Sequence, residues 1–123
     1  WTVLSSEIAI KKIDKSFLEY NETGIPKGIY TYFDITNINL KEKINITIKH
    51  NNESFIATIT TDKTCRAKLS WGNDLKVDLF KNINLNNFTN NTDLKAKFVK
   101  RGKKEYEIML IIETTDKNYN KNK

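Results

Sequence analysis

From Ile44 to Lys49 the chain alternates strictly, with Ile44, Ile46 and Ile48 on one side and Asn45, Thr47 and Lys49 on the other. Period two fits a pleated strand with one buried face, and it fits no helix. A turn of His50, Asn51 and Asn52 follows. Phe55, Ala57 and Ile59 then repeat the inward pattern over Ser54 to Thr60, so the segment is predicted as a β-hairpin. A chain that commits its middle to such a hairpin needs further strands to cover the apolar face.

Those strands can be read on both sides. Trp1 to Asp14 reads as a strand with Ile8 and Ile10 on one face, Val3 and Leu4 leading in, and Lys11, Lys12 and Lys15 where the apolar pattern stops. Ala67, Leu69 and Trp71 resume period two after a polar interruption at Thr61 to Arg66, which reads as a loop. Leu94, Ala96 and Phe98 form another strand, turned by Arg101, Gly102, Lys103 and Lys104 into a last one from Tyr106 to Thr114. Tyr106, Ile108, Leu110 and Ile112 alternate there with Glu107, Met109, Ile111 and Glu113, and its end reads as buried on both faces.

Two helices are predicted. The turn-forming Asn21, Glu22, Thr23 and Gly24 precede Ile25 and Pro26, and proline suits a first helical turn. This places a helix at Pro26 to Phe33 that buries Ile25, Ile29, Tyr32 and Phe33. A second helix, Asp74 to Lys81, is capped near Asp74 and faces Leu75 and Leu79 inward. Asn82 to Asp93 is an asparagine-rich loop held by Leu85 and Phe88, and the Lys- and Asn-rich residues after Asp116 have nothing to bury. The reading is one domain over residues 1–115 with a flexible tail or linker at 116–123. Its class is mainly β, a small, mostly antiparallel open barrel with two short helices.

The chemistry of the chain excludes more than it admits. With one cysteine, Cys65, there is no internal disulfide and no cysteine-rich zinc site, and a reducing cytoplasm is the expected home. The Asn-x-Ser/Thr triplets at Asn21, Asn45, Asn52, Asn87 and Asn90 follow from asparagine abundance. His50 lies in the hairpin turn and reads as solvated, which leaves no base for a serine or cysteine nucleophile. Asp74-Leu75-Lys76 and Asp93-Leu94-Lys95 carry half of a metal-nuclease pattern, but both aspartates sit where capping explains them. No phosphate-cradling glycine motif is present, no cofactor is implied, and no apolar run approaches a membrane span.

What remains is charge. Lys and Arg outnumber Asp and Glu by 21 to 15, a net charge of +6, which favours phosphate-bearing partners. The same excess is also what a solvated lysine surface would carry.

Thr23-Gly24-Ile25-Pro26-Lys27-Gly28-Ile29, then Tyr32-Phe33, the Ile44 to Thr60 hairpin and Arg66-Ala67-Lys68-Leu69-Ser70-Trp71 together resemble the B3-like DNA-binding domain. The form resembled is the bacterial one, found as the recognition domain of restriction endonucleases of the EcoRII and BfiI type and in McrB-like subunits of LlaJI-type systems. The resemblance runs from Leu4 to Ile112. It departs from the plant pattern, where a basic residue commonly precedes the apolar-Ile-Pro triplet and Thr23-Gly24 stands here.

The resemblance implies a seven-stranded open pseudobarrel that grips duplex DNA in the major groove with two arms. The N-arm would span Lys15, Ser16, Tyr20, Asn21, Glu22 and Thr23. The C-arm would span Thr61, Asp62, Lys63, Thr64 and Arg66. Side-chain chemistry then suggests Arg66 and Lys63 for guanine, Asn21 for adenine, Glu22 or Asp62 for cytosine N4, and Tyr20 for a phosphate or a thymine methyl. Asn21 and Asp62 are equally ordinary turn residues, and Glu22 can simply balance lysines. Lys11, Lys12, Lys15, Lys27, Lys68, Arg101, Lys103 and Lys104 are candidate phosphate contacts. Trp71 reads as a core or barrel-end residue.

The domain is expected to be non-catalytic, with a nuclease or McrB-like NTPase domain or subunit of the same restriction system as partner. Two alternatives stand beside this: a single-stranded nucleic-acid-binding barrel and a protein-interaction β domain with incidental charge.

Overall fold

The structure, a computed structural model, describes residues 1–35, 43–61, 66–83 and 92–114. Eight strands form one curled, open sheet, where the resemblance implied seven. They are β1 (Thr2–Val3), β2 (Ile8–Lys12), β3 (Glu22–Ile25), β4 (Lys43–His50), β5 (Glu53–Thr61), β6 (Ala67–Trp71), β7 (Thr92–Gly102) and β8 (Glu105–Thr114), with helices α1 (Lys15–Glu19) and α2 (Asn73–Phe80). The sheet order is β1-β2-β7-β8-β4-β5-β6-β3. All pairings are antiparallel except β4 with β8.

Two of the eight strands lie beyond the six that the apolar pattern predicts. The opening segment does not run straight to Asp14: it folds back at Leu4 to Glu7, so that Thr2 faces Ile10 and Val3 faces Ala9. Ser5 makes this turn, its hydroxyl accepting from the amides of Glu7 and Ile8. In addition, Glu22 to Ile25, expected as turn and helix lead-in, pairs with β6 as an edge strand.

The central hairpin forms as its pattern requires. Asn51 and Asn52 both have positive φ, 50° and 67°, which is the backbone of a two-residue turn matched to strand twist and one that asparagine tolerates. Ile46, Ile48, Phe55, Ala57 and Ile59 are buried as the register demands. The inward sets of β6, β7 and β8 join them through Ala67, Leu69, Ala96, Phe98, Tyr106 and Ile108.

Ile112 is the exception, at 56% exposed, and the end of β8 is not buried on both faces. The reason is geometric. β8 meets β4 only at Glu105 to Glu107, so beyond that point it pairs with β7 alone and leaves the core behind.

The predicted helix at Pro26 to Phe33 is a different structure with the same buried face. Pro26 is extended (φ −70°, ψ 159°), a 3₁₀ turn covers Lys27–Ile29, and i to i−3 hydrogen bonds continue through Asp34. Gly28 and the following Tyr-Thr-Tyr-Phe run are poor α-helix formers, so the tighter turn takes over. Asp34 closes it with φ 58°, and the Ile35 amide bonds back to the Tyr30 carbonyl as in a glycine-type helix stop. Ile25, Ile29, Tyr32 and Phe33 are all buried.

This segment closes one end of the barrel. The Tyr32 hydroxyl faces the carbonyls of Glu7 (2.9 Å) and Phe98 (3.1 Å), and the Tyr32 carbonyl accepts from Tyr106 and from the Lys100 ammonium. Burial pushes both phenols above their ordinary range.

The other end is closed by α2, which runs from Asn73 to Phe80 behind an N-cap at Gly72; Asp74 bonds the adjacent Leu75 amide from inside the first turn. Its Asp78 carboxylate meets His50 at 2.6 Å and Lys81 at 3.0 Å. His50 is therefore not solvated: α2 packs over the end of β4 and takes its ring as a partner, a contact that no spacing in the sequence announces.

The His50 hydrogen bond, then Lys81, holds the Asp78 carboxyl below its ordinary value. A depressed carboxyl stabilises the fold above its unfolded pKa of ~3.9 and loses that contribution as pH falls through the lower, folded value. Asp78→Asn is thus expected to lower Tm at pH 7 and to converge with the wild type as both are acidified below about pH 4. Melts at pH 7 and pH 3 check this, and an undiminished difference at pH 3 contradicts it.

Candidate nucleic-acid interface

An open sheet has two edges, here β1 and β3, and Trp1, the residue before β1, reaches across to β3. Trp1 bridges the seam: its indole N–H donates to the Gly24 carbonyl at 2.8 Å, and its ring packs on Phe33 and Phe98 at centroid distances of 5.5 and 5.3 Å. Next to that bridge lies an open cleft of ≈ 650 Å³.

The wall on the β3 side has a readable backbone. The Asn21 carbonyl accepts from the Trp71 amide, which marks Asn21 and Trp71 as a hydrogen-bonded pair. Antiparallel ladders alternate, so Glu22 and Gly24 turn their peptide groups away from β6 and toward the seam. The bond from Trp1 to Gly24 follows that direction. Side chains alternate too: Thr23 and Ile25 are buried, while Glu22 and Gly24 are not.

Both proposed arms reach this cleft. Asp14 and Ser16 line it from the N-terminal side, and Arg66, Ala67 and Lys68 from the other. Cations on its wall outnumber carboxylates four to two: Lys11, Lys27, Arg66 and Lys68 against Asp14 and Glu22. Lys11 pairs with Asp14 at 3.1 Å and Lys68 with Glu22 at 2.8 Å. Burial raises the Asp14 carboxyl, but the Phe17 amide and Lys11 outweigh it and hold the group below its ordinary value.

Within the segment expected as the N-arm loop, Lys15–Glu19 form helix α1, and Glu22 and Thr23 belong to β3. Asp14 caps α1 by accepting from the Phe17 amide at 3.0 Å, and Phe17, wholly buried, pins the helix against Trp71 (4.6 Å) and Phe80. Asp14, three residues ahead of Phe17, is a helix-start signal that the sequence itself carries. Lys15 and Ser16 are exposed on α1, and Tyr20 is 64% exposed.

Asn21 takes a left-handed backbone (φ 55°) and donates its amide to Asn73 Oδ1 at 2.8 Å. Thr23 does not present its side chain outward: it is 2% exposed, paired with Leu69, and its hydroxyl has no hydrogen-bond partner. Trp71, as expected, packs against the core at the barrel end.

Of the C-arm, Thr61 ends β5 and Arg66 is exposed at the cleft; Asp62, Lys63 and Thr64 lie outside the described residues. Among the phosphate candidates, Lys12 and Lys27 are exposed near the arms. Arg101, Lys103 and Lys104 are not brought to them. Lys12 faces Lys95 on β7, and the 101–104 turn lies six residues further along that strand, about 20 Å away. Arg101 instead pairs with Glu107 at 2.8 Å beside a second concavity of ≈ 470 Å³.

Among the described residues, no three His, Cys, Asp or Glu side chains cluster as a metal site, and no helix is long and apolar enough to cross a membrane.

A single curled open sheet, closed at each end by a short helical segment and cleft along its seam, defines an open half-barrel of the mainly β class. The N-terminal domain of Helicobacter pylori LlaJI.R1 has a similar fold: TM-score 0.64 and 21% identity over 94% of this chain and 88% of that one. No protein-family model and no curated protein matches the sequence.

Proposed function

We propose that this domain recognises a specific duplex DNA sequence and serves as the B3-like targeting module of a bacterial restriction-modification system. The observation that carries the reading is the seam, where both arm segments border one cleft whose wall carries an excess of positive charge. The likeness to the LlaJI.R1 domain adds support, because the sequence motifs independently resemble LlaJI-type systems.

In this reading Lys12, Lys15 and Lys27 hold phosphates, while Arg66 and Glu22 read base edges. Glu22 is kept in place for that role by Lys68, so it need not be ordered on binding. Asn21 leaves the reading set, because its amide is donated to Asn73 and its own Oδ1 is buried. Catalysis belongs to a partner domain or subunit, a nuclease or an NTPase, acting with it in the cytoplasm.

A single-stranded binder would display aromatics for stacking. Among the described residues Tyr20 is the one aromatic that is largely exposed, while Phe17, Tyr32, Phe33, Phe55, Phe98 and Tyr106 are buried.

Gel shifts of duplex, single-stranded and heparin competitors across a salt series test the reading. With three phosphate contacts, log affinity for duplex is expected to fall with log salt at a slope of about −3. Selection from a random duplex library is expected to return one sequence. Absence of duplex binding at low salt would sink the proposal.

A further inference from the structure

The seam is built for more than docking a smooth duplex. A cleft of ≈ 650 Å³ exceeds what edge contacts to a groove require, and it has the features of a nucleotide site. Trp1 and Tyr30 supply aromatic surface, while Glu22 and Gly24 direct peptide groups into the space, where donor and acceptor alternate as they do on a base edge. Lys27 stands at the wall for a flanking phosphate. Gly24 keeps the wall open, since a Cβ there would meet nothing within 4 Å.

We propose that the cleft beside Trp1 and the β3 edge receives one nucleotide extruded from the bound duplex, its base read by the β3 backbone. This rests on the duplex-binding reading given above. Extrusion breaks the pairing and stacking of that nucleotide, so a duplex already mismatched there binds more tightly. An anionic ligand is favoured over an extended peptide at the same strand edge by the four-to-two excess of cations.

The test uses the duplex recovered by selection, with 2-aminopurine placed at each position in turn and, separately, a mismatch at each position. One position is expected to show a severalfold rise in fluorescence on binding, and a mismatch at that same position to tighten binding roughly tenfold. Gly24→Val fills the cleft wall without a clash, so it is expected to lose both signals while keeping the wild-type Tm.

Steep, salt-dependent duplex binding with no fluorescence rise at any position overturns extrusion and leaves the duplex reading standing. No duplex binding at all overturns both. A Gly24→Val protein that keeps the fluorescence rise shows that the base goes elsewhere and overturns the seam as its site. A seam that takes an extended peptide along Glu22 and Gly24 instead gives no fluorescence rise with any duplex, and overturns it too.

Discussion

Phe17→Ala is expected to lower unfolding free energy by about 3–5 kcal/mol. Phe17 is the only buried residue of α1, and its ring bridges Trp71 on β6 and Phe80 on α2. The Asp14 cap of the same helix contributes about 1 kcal/mol, so packing and not capping decides whether α1 stays in place. Without the ring, the segment from Lys15 to Tyr20 has no anchor of its own. Urea unfolding compared with Phe17→Leu, which keeps most of the volume, measures the effect; a loss under about 1 kcal/mol would show that α1 is held by something else.

Arg66→Ala is expected to weaken binding to the selected duplex by ~1–3 kcal/mol, and binding to random duplex far less. Arg66 lies immediately before β6, exposed, and lines the cleft at the C-arm. A guanidinium that reads a base loses energy only on the right sequence, whereas one that holds a phosphate loses it on all sequences and flattens the salt slope by about one unit. Equal losses on both duplexes would reassign Arg66 to the backbone. Burial does not complicate the comparison, because the side chain makes no part of the core.

The strands that the sequence revealed are those whose apolar residues all face one side. β4 to β6 and most of β7 and β8 follow this rule, since one-sided burial imposes period two on the chain. β3 escaped notice because Glu22, Thr23, Gly24 and Ile25 also spell a turn, and an edge strand of four residues carries too little alternation to outweigh that. β1 was missed for the same reason at two residues.

The site was legible unevenly. Arm positions came from motif resemblance, and the exposure of Lys15, Ser16, Tyr20 and Arg66 agrees with surface placement. The inward turn of Thr23 could not be read before its strand was known, because parity within β3 decides it. Nor could the distance of the Arg101 to Lys104 turn, since local charge looks alike at either end of a strand.

By itself, the sequence determined the class of the fold: period-two segments joined by Asn- and Gly-containing turns must build a sheet that curls over one apolar face. It also determined the charge and the buried set of the Pro26 to Phe33 segment. Only the tertiary structure decided that Trp1 reaches β3 and that a cleft opens beside that bridge. Local pattern records which face of a strand is wet. It holds no record of which edge, 23 residues away, a tryptophan N–H will find, because that contact exists only after the sheet has closed.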